Sequence, residues 1–182
     1  QNQPWKGRGT VDPPAFSASC REGGDWVERE QEMCRAAMER YKMARDPMAR
    51  IDAPCRVQIG ALGEMAFPAG VYAYVGSAQR SRMARIRRHL RSNKPLRWHF
   101  DYLRSHGSVF AVSLARGAKA EECGLARSLR AATRAVIAHP RFGASDCRCP
   151  GHLLYLPAEP DYSELDGTLG LRTVRPDQIG GE

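Results

Sequence analysis

Hydrophobic positions change their spacing several times along the chain, and each change marks an element. Trp26, Met33, Ala37, Tyr41 and Ala44 are separated by 7, 4, 4 and 3 residues, the spacing of one stripe on an amphipathic helix. Asp25 is placed to cap its start and Pro47 to stop it, which predicts a helical extension over residues 25–46. Residues 1–24 are rich in Gly, Pro and Ser without periodicity and read as a disordered tail. From residue 55 the period falls to two. Arg56-Val57-Gln58-Ile59 alternates polar and apolar, and Val71-Tyr72-Ala73-Tyr74-Val75 is rich in β-branched and aromatic residues. Gly60, Gly63 and Pro68-Ala69-Gly70 supply turns between these runs, which are expected to pair as a hairpin.

The helical period returns over residues 80–92, where Met83, Ile86 and Leu90 form an i, i+3, i+7 stripe. Pro95 stops this helix, and Trp98-His99-Phe100-Asp101-Tyr102-Leu103 follows as a short amphipathic element. Ser108–Leu114 reads as a third strand. Residues 119–138 read as a second helix with Leu125, Leu129, Ala132 and Val136 inward, and Leu153–Leu156 as a last short strand. Residues 158–182 hold Pro, Gly and Asp without periodicity and are expected to be a disordered tail. The order strand, strand, helix, strand, helix, strand predicts an α/β or α+β fold, a small central β-sheet flanked by helices, over residues 50–157.

Composition narrows the function classes. The 182 residues are 42% apolar, enough for one ordinary domain with extensions. No apolar run reaches the roughly 18 residues a membrane span needs, so no membrane partner is expected. The formal net charge is +8 and the pI about 9.5, which favours a polyanionic partner. The charge is concentrated. Eight basic residues and no acid lie between Arg80 and Arg97, and seven of the eight are Arg, the side chain suited to forked bonding of phosphate. Arg82, Arg87, Arg88, Arg91 and Lys94 are the candidate nucleic-acid contacts, against the plainer alternative of a solvated helix face. Six irregularly spaced cysteines without a signal pattern point to free thiols in a reducing, cytoplasmic setting.

Tyr74-Val75-Gly76, followed by Ser77-Ala78 and then by Arg85-Ile86-Arg87-Arg88-His89, resembles the second half of the GIY-YIG nuclease signature and the helix after it. Further blocks resemble the Uri-type branch of that superfamily: Val57–Gly63, Phe67-Pro68-Ala69-Gly70, Trp98–Leu103, Glu122–Ala126, and Gly143–Cys149 with His152-Leu153. The resemblance spans about three-fifths of the chain. It implies a metal-dependent endonuclease, a hydrolase of DNA phosphodiester bonds. By resemblance Tyr74 helps to activate water, Arg85 clamps the scissile phosphate, His89 assists proton transfer, and Glu122 holds Mg²⁺ or Mn²⁺, with Glu121 the adjacent alternative. Spacing agrees in part. Tyr72 and Tyr74 share a strand face, and Arg85 and His89, four apart, are neighbours on a helix surface away from its apolar stripe.

Two features depart from the pattern or stand beside it. Gly70-Val71-Tyr72 resembles the first signature triplet, with Val in place of Ile, but lies on the same strand as Tyr74. The first strand should come upstream, where Met43–Ile51 is a poor strand without tyrosine. The expectation is a replaced or degenerate first strand, with Tyr72 as the substitute catalytic tyrosine, or else a nucleic-acid-binding module of the same fold without turnover. Separately, Cys147, Cys149 and His152 are zinc-type ligands that Cys123 or His99 would complete in space. The unusual C-x-C spacing favours packing and loop roles instead.

Overall fold

In the computed structural model, residues 43–77, 82–116 and 121–179 are described. The expected tail over 1–24 and most of the expected helix over 25–46 lie outside them. The last residues of that predicted helix are a strand. β1 (Met43–Ile51) is the centre of a six-stranded sheet with β4 (Gly70–Tyr74), β5 (Ser108–Ala115), β6 (Val136–Ile137), β7 (Leu153–Leu156) and β8 (Arg172–Val174). The order is β6-β7-β4-β1-β5-β8, and every pairing is antiparallel. The fold is therefore α+β.

β1 forms despite its sequence because it is paired on both sides. Met48 to Ile51 pair with Ala73 to Gly70, and Met43 to Arg50 pair with Ala115 to Ser108. Pro47 stands just beyond the β4 ladder, where no β4 partner needs its missing N–H. Register shifts between Met43 and Arg45 and between Met48 and Ala49 mark bulges of the kind that bend a strand.

The expected hairpin is corrected. β2 (Cys55–Gln58) pairs with β3 (Glu64–Phe67), not with β4, through a 3-10 turn at Gly60–Leu62. Among the described residues four helices flank the sheet: α1 (Arg82–Leu90), α2 (His99–Arg104), α3 (Glu122–Thr133) and α4 (Tyr162–Leu169). α3 is shorter than the predicted 119–138. Arg134 takes a left-handed conformation at φ 55° and caps it, after which the chain forms β6 and Val136 is exposed.

Residues 158–179 are a second correction. Asp161 accepts hydrogen bonds from Ser163 N and Glu164 N to start α4, and Gly170 ends it at φ 62°. β8 then extends the sheet.

Strand alternation divides the core. Met48, Ala73 and Leu154 pack with Leu129 of α3 and Leu165 of α4. Ala49, Tyr72 and Leu153 face the other way, against Phe67 of β3, Phe100 and Leu103 of α2, and Phe142. Ile86 of α1 packs on Val112 and Leu114 of β5. The helices and the hairpin thus cover both faces. Among the described residues no helix is long and apolar enough to cross a membrane.

Candidate functional site

The end of β4 and the helix α1 bring Tyr74, His89 and Arg85 into one aromatic cluster. The Tyr74 ring stacks on Phe100 at 5.1 Å and lies edge-on to His89 at 6.2 Å and to Phe142 at 6.0 Å. His89 also meets Trp98 at 5.4 Å and Phe100 at 5.5 Å. Arg85 lies 5.1 Å over Trp98, and its Nη1 donates to the Ser77 carbonyl at 2.9 Å. The helix spacing thus placed Arg85 and His89 together, as expected. It missed that His89 is buried, at 8% exposure. Its side of α1 is covered by Trp98 and Phe100, which the Pro95 turn brings back over the helix.

Tyr72 shares the Tyr74 face but is a core residue. Its ring is 1% exposed, and its hydroxyl donates to the Pro68 carbonyl at 2.7 Å. Burial pushes the phenol of Tyr72 well above its usual range. Tyr74 is pushed up in the same direction, chiefly by burial and then by the Glu122, Asp101 and Asp146 carboxylates, with Arg85 opposing. Tyr74 therefore stays a neutral phenol at ordinary pH, able to orient or donate but not to act as a tyrosinate.

The basic segment divides in two. Arg88 Nη2 donates to Asp101 Oδ2 at 2.8 Å, and Lys94 Nζ pairs with Asp101 Oδ1 at 2.9 Å. The Asp101 side chain has no exposure and that of Lys94 only 3%. The same carboxylate accepts from Arg97 N at 3.0 Å and Trp98 N at 3.1 Å, at the start of α2. Burial disfavours the charge on Asp101, but Lys94 and the two amides outweigh it and hold the carboxyl below its usual range. Arg88 and Lys94, expected as phosphate contacts, are thus held by an acid that lies just past the acid-free run. Arg88 also stacks on Trp98 at 4.9 Å, so that ring lies within reach of two guanidinium groups. Arg87 and Arg91 are exposed. The side chain of Arg82 lies outside the described residues.

Glu122 opens α3, as expected, and its Oε1 lies 3.0 Å from His152 Nδ1. The other ring nitrogen, Nε2, lies 3.7 Å from Cys147 Sγ. Cys123, Cys147, Cys149 and His152 bring four potential ligand atoms within 4.8 Å of one another. These residues, for which the sequence favoured packing and loop roles, thus form a group that could hold a metal ion. Cys123 completes the set. His99 is not among them; its Nδ1 accepts from Gly143 N at 3.0 Å. The four cysteines in the described residues are free thiols. Cys149 is held below its usual thiol range by hydrogen bonds, first from Cys123 and then from His152. Cys123 is pushed up to about 12, first by its hydrogen bond to Cys149 and then by burial and Cys147. Burial lowers the affinity of His152 for a proton, but Glu122 and Cys149 outweigh it and raise it overall.

Gly143 joins the two clusters. At φ 72° it is left-handed, and a Cβ there would stand 2.5 Å from Tyr74 Cε2 and 3.2 Å from His152 Cβ. Only glycine lets the 141–152 loop pass between them. Sequence reasoning also missed Asp101 and Phe142. Asp101 is legible as an acid three residues after Trp98, in the first turn of a short helix. Phe142 carries no local signal.

The comparison with curated proteins gave no match, and that with solved structures gave none either. A protein family matches residues 48–168, a span running from the centre of β1 almost to the end of α4. On that match the chain belongs to the family described as domain of unknown function DUF123.

Proposed function

We propose that this protein is a metal-dependent DNA endonuclease of the GIY-YIG type, acting at the face formed by β4 and α1. The observation that carries the proposal is the convergence of Tyr74, His89 and Arg85 around Trp98 and Phe100. These are three of the four groups that the sequence resemblance implies for phosphodiester hydrolysis, Glu122 being the fourth. Arg85 offers a planar cation for the phosphoryl oxygens, held by the Ser77 carbonyl and stacked on Trp98. Tyr74, as a neutral phenol, orients water through its hydroxyl. His89 moves a proton between that water and the leaving oxygen. Arg87 and Arg91 contact the DNA backbone, which positions the duplex without reading its sequence.

The donor chemistry decides where Mg²⁺ or Mn²⁺ fits. The thiols of the Cys and His cluster are too soft for it. Glu122 fits only through Oε2, since Oε1 is engaged with His152. One carboxylate oxygen is acceptable for an ion that keeps most of its waters. Glu122 would hold such a cation, which would supply charge neutralisation for the phosphoryl and leaving oxygens.

A second reading has its own observation. β1 contains no tyrosine, and the hydroxyl of Tyr72 is taken by Pro68. A nucleic-acid-binding module of the same fold, without turnover, would look like this. Incubating labelled duplex, flap, branched and single-stranded DNA with Mg²⁺, Mn²⁺ or EDTA separates the two. The endonuclease cuts at least one substrate only with the divalent ion, and Arg85→Ala abolishes the cutting. Salt-sensitive binding without any cutting would refute it in favour of the module.

A further inference from the structure

We infer that Cys123, Cys147, Cys149 and His152 bind one zinc ion as a closed structural centre, with Glu122 as the positioning residue for His152. Four ligands of the Cys₃His type from two separate segments are the donor set of structural zinc, which is tetrahedral and soft enough for thiolates. The spacing agrees with that geometry. Zinc bonds of about 2.3 Å to sulfur and about 2.0–2.1 Å to nitrogen give tetrahedral edges of roughly 3.8 Å between sulfurs and roughly 3.6 Å between sulfur and nitrogen. Cys147 Sγ and His152 Nε2 lie 3.7 Å apart, and all four ligand atoms fall within 4.8 Å.

The outer shell is also in place. His152 presents Nε2 to the thiols and Nδ1 to Glu122 Oε1 at 3.0 Å. A ligating histidine characteristically donates its other N–H to a carboxylate, which fixes the tautomer and the ring. The ring of His152 is 1% exposed, and its backbone is fixed too: His152 N donates to Phe142 O at 2.8 Å, and Val75 N donates to His152 O at 2.9 Å. Arg141 Nη1 bonds the Cys147 carbonyl at 2.6 Å, which shapes the C-x-C turn.

The centre ties the first turn of α3 to the 141–152 loop. That loop carries Phe142 and Gly143 against Tyr74. Zinc therefore holds one wall of the Tyr74 cluster. The inference stands apart from the nuclease proposal, because the degenerate module would need the same wall.

The first test is elemental analysis of the full chain, purified without a metal-affinity tag and under reducing conditions. One zinc per chain is expected. Cobalt substitution is expected to give the visible bands of a tetrahedral ion and the near-ultraviolet charge transfer of thiolate ligands. Glu122→Gln is expected to keep those bands while zinc affinity, measured against a competing chelator, falls roughly 10–100-fold. Cys149→Ser is expected to lose the metal. Should that variant fail to fold, the wild-type metal content still decides the matter. No stoichiometric zinc, together with no uptake of added zinc by the reduced chain, would overturn the inference. So would a cobalt spectrum without thiolate charge transfer. An unchanged zinc affinity in Glu122→Gln would remove the role given to Glu122.

Discussion

Asp101→Asn removes the acid that pairs with both Lys94 and Arg88 beneath α1. The Lys94 side chain is 3% exposed and that of Asp101 not at all, so water cannot replace the lost carboxylate. The amide keeps an acceptor oxygen for Arg97 N or Trp98 N, but it leaves the buried Lys94 ammonium, which also donates to the Arg88 and His89 carbonyls, without a counter-charge. Breaking a buried pair from one side costs roughly 3–5 kcal/mol. For a chain of this size that is a fall in Tm of roughly 6–20 °C. The pH dependence has a definite sign. The Asp101 carboxyl titrates below its ordinary value of 3.8 in the fold, so its contribution is present above pH 3.8 and is lost as pH falls through the lower folded value. Wild type should show this acid-induced loss and Asp101→Asn should not. Thermal melts followed by circular dichroism between neutral pH and pH 3 test both points. As a control, Glu64→Gln removes the exposed pair with Arg56 and should leave Tm unchanged. If Asp101→Asn melts within about 2 °C of wild type at neutral pH, the carboxylate is not a buried anchor and the account of α1 and α2 fails.

Three further outcomes follow from the geometry. Tyr72→Phe should cost about 1 kcal/mol through the unpaired Pro68 carbonyl and leave cleavage intact, while Tyr74→Phe abolishes cleavage with little change in Tm; equal loss of cleavage in both would make Tyr72 part of the site. Gly143→Ala should destabilise the fold by roughly 1–3 kcal/mol, from the left-handed backbone and the push on Tyr74; a melt unchanged from wild type would contradict it. Arg87→Ala should lower the salt slope of DNA binding by about 1, whereas Lys94→Met should lower Tm and leave that slope alone; the converse pattern would reverse the division of the basic segment.

Where the chemistry depends on neighbours within one element, the sequence was a good guide. Arg85 and His89 come together through helix spacing alone, and Tyr74 lies on a strand whose run of β-branched and aromatic residues is plain. What failed was non-local. Tyr41 and Ala44 continue a helical period, and Pro47 reads as a breaker, yet β5 and β4 pair with β1 and override local preference. The acid-free run from Arg80 to Arg97 looked like a free phosphate surface because its counter-charge, Asp101, returns from beyond the Pro95 turn. The zinc-type ligands were half visible: Cys147, Cys149 and His152 are close in sequence, but Cys123 arrives from the start of α3. α4 was missed because it is short and holds Gly167 among Pro, Gly and Asp, although Tyr162, Leu165 and Leu169 stand at i, i+3 and i+7 and pack on the core. Its caps, Asp161 and Gly170, were a second signal.

The most direct test is the initial rate at which one labelled DNA substrate is cut by wild type and by Arg85→Lys with Mg²⁺ present. Lysine keeps the charge but cannot reproduce a planar group stacked on Trp98 and forked onto phosphate. The proposed site predicts a fall of roughly 10²–10³ in rate, with Tm and DNA affinity close to wild type. Equal rates for the two proteins would contradict it and place the chemistry elsewhere.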